Sequence, residues 1–484
     1  MLWLALVFPE WPLQARIRTR DGTQPLAVSQ GQRVIALDAV ALAQGVRVGQ
    51  RLADALALAP DLVIRSREPA AETAALHDAA GCALHFTPHV SLDDDALLLE
   101  LSGSLKLFGG LDTLLRTLQR TLAAAGFESV AACAPTPRAA RWLALGTPGQ
   151  RIRNVAALPG ALAPLPLEVT GAGSAALLAL RDAGLRTLGE LMALPRSALA
   201  LRDAGPLLTL IDQALGRRPD LRVDHSAPPR LDSRIELPVP RQDSDVLLFA
   251  ASRLFNAACA RLAAAQSGIG ECALELEHER QPPTVLTLRT GQPTRDPRVL
   301  AGLAREHLAR IALPAPVAAL RLQATDWLLM PGRSRDLFGA QAPSLAETRT
   351  AAALLVERLR ARLGHDKVHA LSGSADPRPE CAQRPAEPGA ARPGPARPRR
   401  PLWLLAEPEA LAERDGQPWR HGPLHCLEDS ERIEAGWWDG LDAPLAANEA
   451  LRDYRIAIGP RQELLWIYRE HHPPHRWYLH GVFG

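Results

Sequence analysis

Lysine is almost missing from this chain of 484 residues: Lys106 and Lys367 are the only two. Arginine therefore carries nearly all of the positive charge, and its planar guanidinium suits bidentate contact with phosphate. An Ala/Arg/Pro-rich composition is equally what a GC-rich genome produces, so the bias alone does not assign a ligand. An excess of either sign is missing too. The 55 basic and 53 acidic residues leave a formal net charge of +2, which excludes a whole-chain basic field for nucleic acid. The six cysteines, Cys82, Cys133, Cys259, Cys272, Cys381 and Cys426, are scattered without a CxxC pair. That spacing argues against a zinc site and against a disulfide framework. No segment reads as long and apolar enough to cross a membrane. The start, MLWLALVFPEWP, is apolar but short, without a basic leader or a small-residue cleavage site, and Pro9 and Pro12 interrupt it. A soluble cytoplasmic protein with no membrane partner is expected.

What is present points to several α/β domains. A chain of this length with 47% apolar residues exceeds one core. Leu2 to Phe8 reads as a buried strand, Glu72 to Phe86 and Leu111 to Ala125 as helices, and Val90 to Leu101 and Ser129 to Ala134 as further strands. Between them, residues 23–75 hold two short strands and then helices punctuated by Gly45 and Gly49. Ser174 to Gly216 changes to short helices with glycine turns. Ile235 to Ala324 reads strand, helix, strand, strand, helix, strand, the order of a split βαβ sandwich, and Thr348 to Leu363 reads as another amphipathic helix. The Pro/Arg-rich stretch 371–401 is expected to be a disordered linker, because it has almost no apolar anchor. Residues 402–484 contain six of the ten tryptophans and all three tyrosines. They read as a small β-rich module whose aromatics fill its own core.

Two local patterns carry chemistry. In LRDAGLRTLGELMALP (Leu180 to Pro195), Gly184 suits a left-handed helix cap, and Thr187 with Glu190 forms a T-x-x-E capping box. The pattern is a helix–hairpin–helix. Its amides at Gly184, Thr187 and Gly189 are expected to face outward and hold a DNA phosphate without reading bases. The second pattern is VSLDDDALLLEL (Val90 to Leu101), in which Asp93, Asp94 and Asp95 enter a strand. Two-cation phosphoryl transfer needs carboxylates converging from different strands. The first strand supplies none, and Glu10 lies beyond Pro9, so the acidic cluster lacks its partner. HHPPH (His471 to His475) has no further ligand at metal spacing, and LFGG (Leu107 to Gly110) reads as a strand-to-helix turn.

In this order, ALAQGVRVGQRLADALALAPDL, TPHVSLDDDALLLELSGSLKLFGG, LRDAGLRTLGEL and the split-βαβ segment resemble the Y-family translesion DNA polymerases over roughly residues 1–370. The resemblance implies a palm with inserted fingers (1–165, fingers about 23–75), a helix–hairpin–helix thumb (166–230) and a little finger (231–370). The departures matter. The family's metal-binding aspartate on the first strand falls here at Ala5 or Leu6, and its triphosphate-gripping Tyr and Arg fall at Ala39 and Leu42. Lost carboxylates and a lost guanidinium remove electrostatic stabilisation and a bidentate clamp.

The tail strings RPLWLLAEPEAL, ERIEAGWWDG, LRDYRIAIG, LLWIYRE and WYLHGVFG are similar to the C-terminal module of the ImuB-type subgroup of the bacterial mutasome. That resemblance implies a catalytically inactive accessory with no metal or cofactor requirement, although retention of one Mg²⁺ at Asp93–Asp95 stays open. Its partners would be damaged or primed DNA, a sliding clamp, an error-prone replicative-type polymerase and a RecA-like protein. The clamp peptide would be SRDLFGA, with Asp336 leading the anchors Leu337 and Phe338 and Ser334 where Gln is usual. DNA contacts are expected from the thumb hairpin and the little-finger arginines. The competing readings are an active translesion polymerase with a diverged metal site, using Glu10 with Asp93 and Asp94, and an unrelated helix–hairpin–helix DNA-binding protein or nuclease.

Overall fold

In the computed structural model the described residues are 1–19, 24–195, 205–226, 228–330, 345–388, 390, 392–395, 398–436 and 450–483. They divide into two units, Met1–Gly364 and His365–Gly484.

The first unit begins with β1 (Trp3–Val7), the short α1 (Trp11–Gln14), β2 (Leu26–Gln30), β3 (Arg33–Leu37), α2 (Ala39–Ala43), α3 (Leu52–Leu58), β4 (Val63–Ser66) and α4 (Pro69–Ala83). It continues through β5 (Val90–Asp93), β6 (Ala96–Glu100), α5 (Leu111–Ala124), β7 (Val130–Ala134) and α6 (Pro137–Gly146). The palm sheet runs β5-β6-β1-β7, with β1 antiparallel to both neighbours. Because successive side chains of a strand alternate, Leu4 and Leu6 enter the core under α4 and α5. Ala5 and Val7 enter the opposite core with Trp142 and Leu143 of α6. α5 buries Leu111, Leu114, Leu115, Leu118 and Leu122, one apolar stripe at helical spacing. The fingers form a separate small sheet, β3-β2-β4, over a core of Ala27, Val34, Val46 and Ala55.

The thumb follows as α7 (Leu158–Leu162), α8 (Ser174–Asp182), α9 (Leu188–Met192) and α10 (Gly205–Ala214). The little finger comprises β8 (Leu231–Arg241), α11 (Ser244–Ala264), β9 (Ser267–His278), β10 (Thr284–Thr294), α12 (Pro297–Leu308), β11 (Val317–Ala324) and β12 (Trp327–Leu329), followed by α13 (Leu345–Leu363). Its sheet order, β10-β9-β11-β8 with antiparallel neighbours, makes two interleaved split βαβ units. α11 corrects the expectation that no segment is long and apolar enough to cross a membrane: it has 21 residues, and an 18-residue stretch of it has a mean hydropathy of 1.4. Its Leu247, Leu254, Phe255 and Leu262 lie in the little-finger core. The helix also reaches the palm, where Ala257 joins the core under α4 and the Asn256 amide donates to Ala124 O at 3.1 Å.

The second unit starts earlier than composition suggests. β13 (Ala370–Gly373) pairs with β14 (Gln383–Ala386), inside the stretch expected to be a disordered linker. Asp376 and Arg378 are buried and paired at 2.7 Å. Arg400 donates to Pro377 O at 2.9 Å, pairs with Glu431 and lies over the Trp466 ring. Guanidinium stacking and ion pairing anchor a segment that has few apolar residues. The main sheet is built from β15 (Trp403–Ala410), β18 (His425–Ala435), β19 (Ala450–Ile458), β20 (Leu464–Glu470) and β21 (Trp477–Val482), in the order β15-β21-β20-β19-β18. The ribbon β16 (Ala412–Arg414) and β17 (Gln417–Trp419) joins β15 to β18. Tyr454, Trp466 and Tyr468 are buried, with Tyr454 and Trp466 stacked at 4.1 Å and the Tyr454 hydroxyl 2.7 Å from His480 Nδ1. Tyr454, Trp466, Tyr468 and Trp477 are core, as expected, whereas Trp403 is exposed, and Trp437 and Trp438 lie outside the described residues. In the HHPPH turn, His471 Nε2 meets Asp453 Oδ2 at 2.6 Å.

Candidate nucleic-acid interface and the acidic hairpin

VSLDDDALLLEL is a hairpin rather than one strand. β5 and β6 pair with Asp93 opposite Ala96, and Asp94–Asp95 make the turn. Three adjacent carboxylates favour this, since a solvent-facing turn separates charges that a buried strand would crowd. The register against β1 places Val7 opposite Ala96, and Phe8 N donates to Asp95 O at 2.9 Å. Residues beside the acidic turn are therefore Val7 and Phe8. Ala5 and Leu6, where the family's aspartate was expected, pair with Leu98 and Leu97 deeper in the sheet. All four are apolar and buried.

Two of the three aspartates, Asp93 and Asp95, are already partnered. From α6, Arg141 Nη2 donates to Asp95 Oδ1 at 2.7 Å, and Nη1 lies 3.2 Å from Asp93 Oδ2. Arg222, beyond the thumb, reaches Asp93 Oδ2 at 3.5 Å and Asp220 at 2.8 Å. Neither arginine was singled out in the sequence, because nothing local links positions 93, 141 and 222. Among the described residues no group of three or more His, Cys, Asp or Glu is placed to hold a metal ion. Glu10 lines a cleft with Asp94, Asp95 and Arg141, but its Oε2 accepts from Leu37 N at 3.1 Å. Arg67 in the same cleft is bound to Glu72 through Nε at 2.8 Å and Nη2 at 2.9 Å. In the fingers, Ala39 and Leu42 occupy α2, whose start is capped by Asp38 accepting from Ala41 N at 2.8 Å. Leu42 is exposed, so the fingers present an alkyl group at a position where the resemblance implies a guanidinium.

The thumb hairpin has its predicted local structure. Gly184 takes φ 84°, and the Thr187–Glu190 capping box is complete. Its amides do not face outward as expected. Gly184 N donates to Arg181 O at 2.9 Å, Thr187 N to Glu190 Oε2 at 3.0 Å, and Gly189 N to Ala163 O at 2.9 Å. Leu188 N is likewise taken by Leu165 O at 2.8 Å. A Cβ at Gly189 would sit 2.9 Å from that Ala163 oxygen, so this glycine serves close packing. Beside the hairpin, the start of α8 also lacks a side-chain cap: Gly171 (φ 69°), Ala172 and Gly173 lead into it. The Gly-x-Gly spacing before a helix was the available signal.

The open face of the little-finger sheet carries its arginines in pairs with acids. Arg321 binds Asp232 through two bonds of 2.7 and 2.9 Å, Arg234 binds Glu277 at 2.9 Å, and Arg289 binds Glu271 at 2.9 Å. The Arg321 hydrogen bonds hold the Asp232 carboxyl down at about 2. Little-finger arginines, expected to contact DNA, are here ion-paired with acids of the same sheet. Asp336, Leu337 and Phe338 lie outside the described residues.

A family model described as the impB/mucB/samB family matches residues 14–144. Protein ImuB of Caulobacter vibrioides, in strains NA1000 and ATCC 19089, is 32% identical over 465 residues, spanning 91% of this chain and 100% of the relative. Among solved structures, DinB from Sulfolobus solfataricus is 16% identical with a TM-score of 0.37, covering 68% of this chain and 100% of that one. A Dbh ternary complex gives the same identity, TM-score and coverage. By its likeness to ImuB along nearly its whole length, the chain belongs to the ImuB group of Y-family polymerase-like proteins.

Proposed function

We propose that the chain is a non-catalytic accessory of translesion synthesis, which binds damaged or primed DNA and a sliding clamp and recruits an error-prone replicative-type polymerase together with a RecA-like partner. One observation carries the non-catalytic part: Asp93 and Asp95 of the hairpin are ion-paired to Arg141 and Arg222, while the adjacent end of β1 offers Val7 and Phe8. Two-cation chemistry needs free carboxylates from two strands. DNA contact is assigned to the α8 start, through backbone amides, and is expected to weaken steeply with salt. Clamp contact is assigned to Leu337 and Phe338.

Primer extension by the purified chain with Mg²⁺ or Mn²⁺ tests this reading, and no extension is expected. Extension that Asp93→Ala with Asp94→Ala abolishes would establish the second reading, an active polymerase, which the shared cleft of Glu10, Asp94 and Asp95 favours. A clamp pull-down with Leu337→Ala/Phe338→Ala tests the partner assignment: lost binding supports it, and unchanged binding removes it.

A further inference from the structure

The fold family implies divalent cations at the palm hairpin, and the residues here do not fit them. The contacts continue past Asp93 into a ladder of alternating charge. Its order is Asp95, Arg141, Asp93, Arg222, Asp220 and Arg138, with separations of 2.7, 3.2, 3.5, 2.8 and 3.7 Å. Three carboxylates and three guanidiniums cancel without an ion. The inner members are shielded, with side-chain exposures of 12% for Arg222 and 6% for Asp220. A cation entering at Asp93 would displace Arg222 and strand partly buried charge, and breaking a buried pair from one side is strongly destabilising.

The ladder also has a direction. Arg222 belongs to the connector that leaves the thumb after α10 and leads to β8. Two further contacts lay this connector along the free edge of β5: His225 N donates to Val90 O at 2.6 Å, and Asp224 meets His89 Nδ1 at 2.8 Å. The palm hairpin is thus joined to the only covalent route between thumb and little finger.

We propose that the acidic hairpin has become a clasp: Arg141 and Arg222 serve as its resident cations, and Arg222 positions the thumb-to-little-finger connector on the palm without a divalent ion. The proposal rests on the non-catalytic reading only for its starting point. The clasp predicts a mechanical coupling between hairpin and connector that primer extension does not measure.

Amide hydrogen exchange on the full chain tests it. Losing a charge-assisted pair should open the connector, so Arg222→Ala should speed exchange at His225 by about tenfold or more while the little-finger strands keep their protection. Asp93→Asn, nearly isosteric, should produce the same change, and the double variant should add little. Unchanged exchange at His225 in both single variants overturns the clasp. Mn²⁺ added to the wild-type chain should cause no paramagnetic broadening of Val90 to Ala96. Broadening there that Asp93→Asn removes would overturn the clasp even if primer extension stayed negative. Primer extension with an intact exchange response would instead overturn the non-catalytic reading alone.

Discussion

Asp78 on α4 offers the sharpest test of how the little finger is held to the palm. Its Oδ2 accepts from Arg18 Nη2 at 2.9 Å, and its Oδ1 accepts from the Ser233 hydroxyl of β8 at 2.6 Å. Asp78 is 6% and Arg18 4% exposed. Arg18 lies over the Phe127 ring at 4.3 Å, and among the described residues its Nε and Nη1 have no hydrogen-bond partner. Asp78→Ala would leave this guanidinium buried without a counter-charge. Breaking a buried pair from one side costs roughly 3–5 kcal/mol. The stranded Ser233 hydroxyl adds about 1 kcal/mol. A loss of about 4–6 kcal/mol is thus expected, large against the ~5–15 kcal/mol of a typical domain. Arg18→Met with Asp78→Leu removes both charges and fills the space, so it should recover to within about 1–2 kcal/mol of wild type. Urea unfolding followed by tryptophan fluorescence, with the singles and the double in one cycle, measures this. A single-variant loss under about 1 kcal/mol, or a double no better than Asp78→Ala, refutes the argument.

Three other outcomes follow from particular contacts. At Gly189, a methyl group would press on Ala163 O at 2.9 Å, so Gly189→Val should lower the thermal midpoint and loosen the thumb, measured by exchange at Leu188 and Leu191. Burial pushes the Cys82 thiol up to about 12 and Cys133 up to about 11, and raises Cys259 and Cys272 as well. A thiol reagent at pH 8 should therefore label Cys381 first in the native chain, Cys426 more slowly because burial raises its thiol as well, the four buried cysteines slowest, and all six in denaturant. Asp232 sits at about 2 when folded, chiefly through Arg321, against roughly 3.9 for a free carboxyl. Its contribution is present above about pH 4 and is lost as pH falls toward 2. A carboxyl NMR titration should show Arg321→Ala returning Asp232 toward the ordinary value; no movement would show that the pair is not the cause.

The most legible features were local or negative. The Thr187–Glu190 capping box and the glycine turn at Gly184 were readable because both partners lie within one helical turn. The lack of an acid on the first strand was readable because no fold can supply a side chain that the chain does not contain. Even there the register was missed by about two residues, since only the β1–β6 ladder decides which residue meets the turn. The strand break at Asp94–Asp95 was hidden by the continuous apolar run that follows it.

Sequence by itself determined the succession of α/β elements, much of the aromatic core of the tail and the lack of a carboxylate from Leu2 to Phe8, because periodicity and composition are carried within each segment. Tertiary structure alone decided where hydrogen bonds and charges end up. The amides of α9 went to Ala163 and Leu165, the little-finger arginines to acids on neighbouring strands, the linker's Arg400 to Trp466 and Glu431, and the palm aspartates to Arg141 and Arg222. Each of those partners is distant in the chain. A charged or polar group takes the complementary group that folding brings to it, and that choice leaves no trace in local spacing.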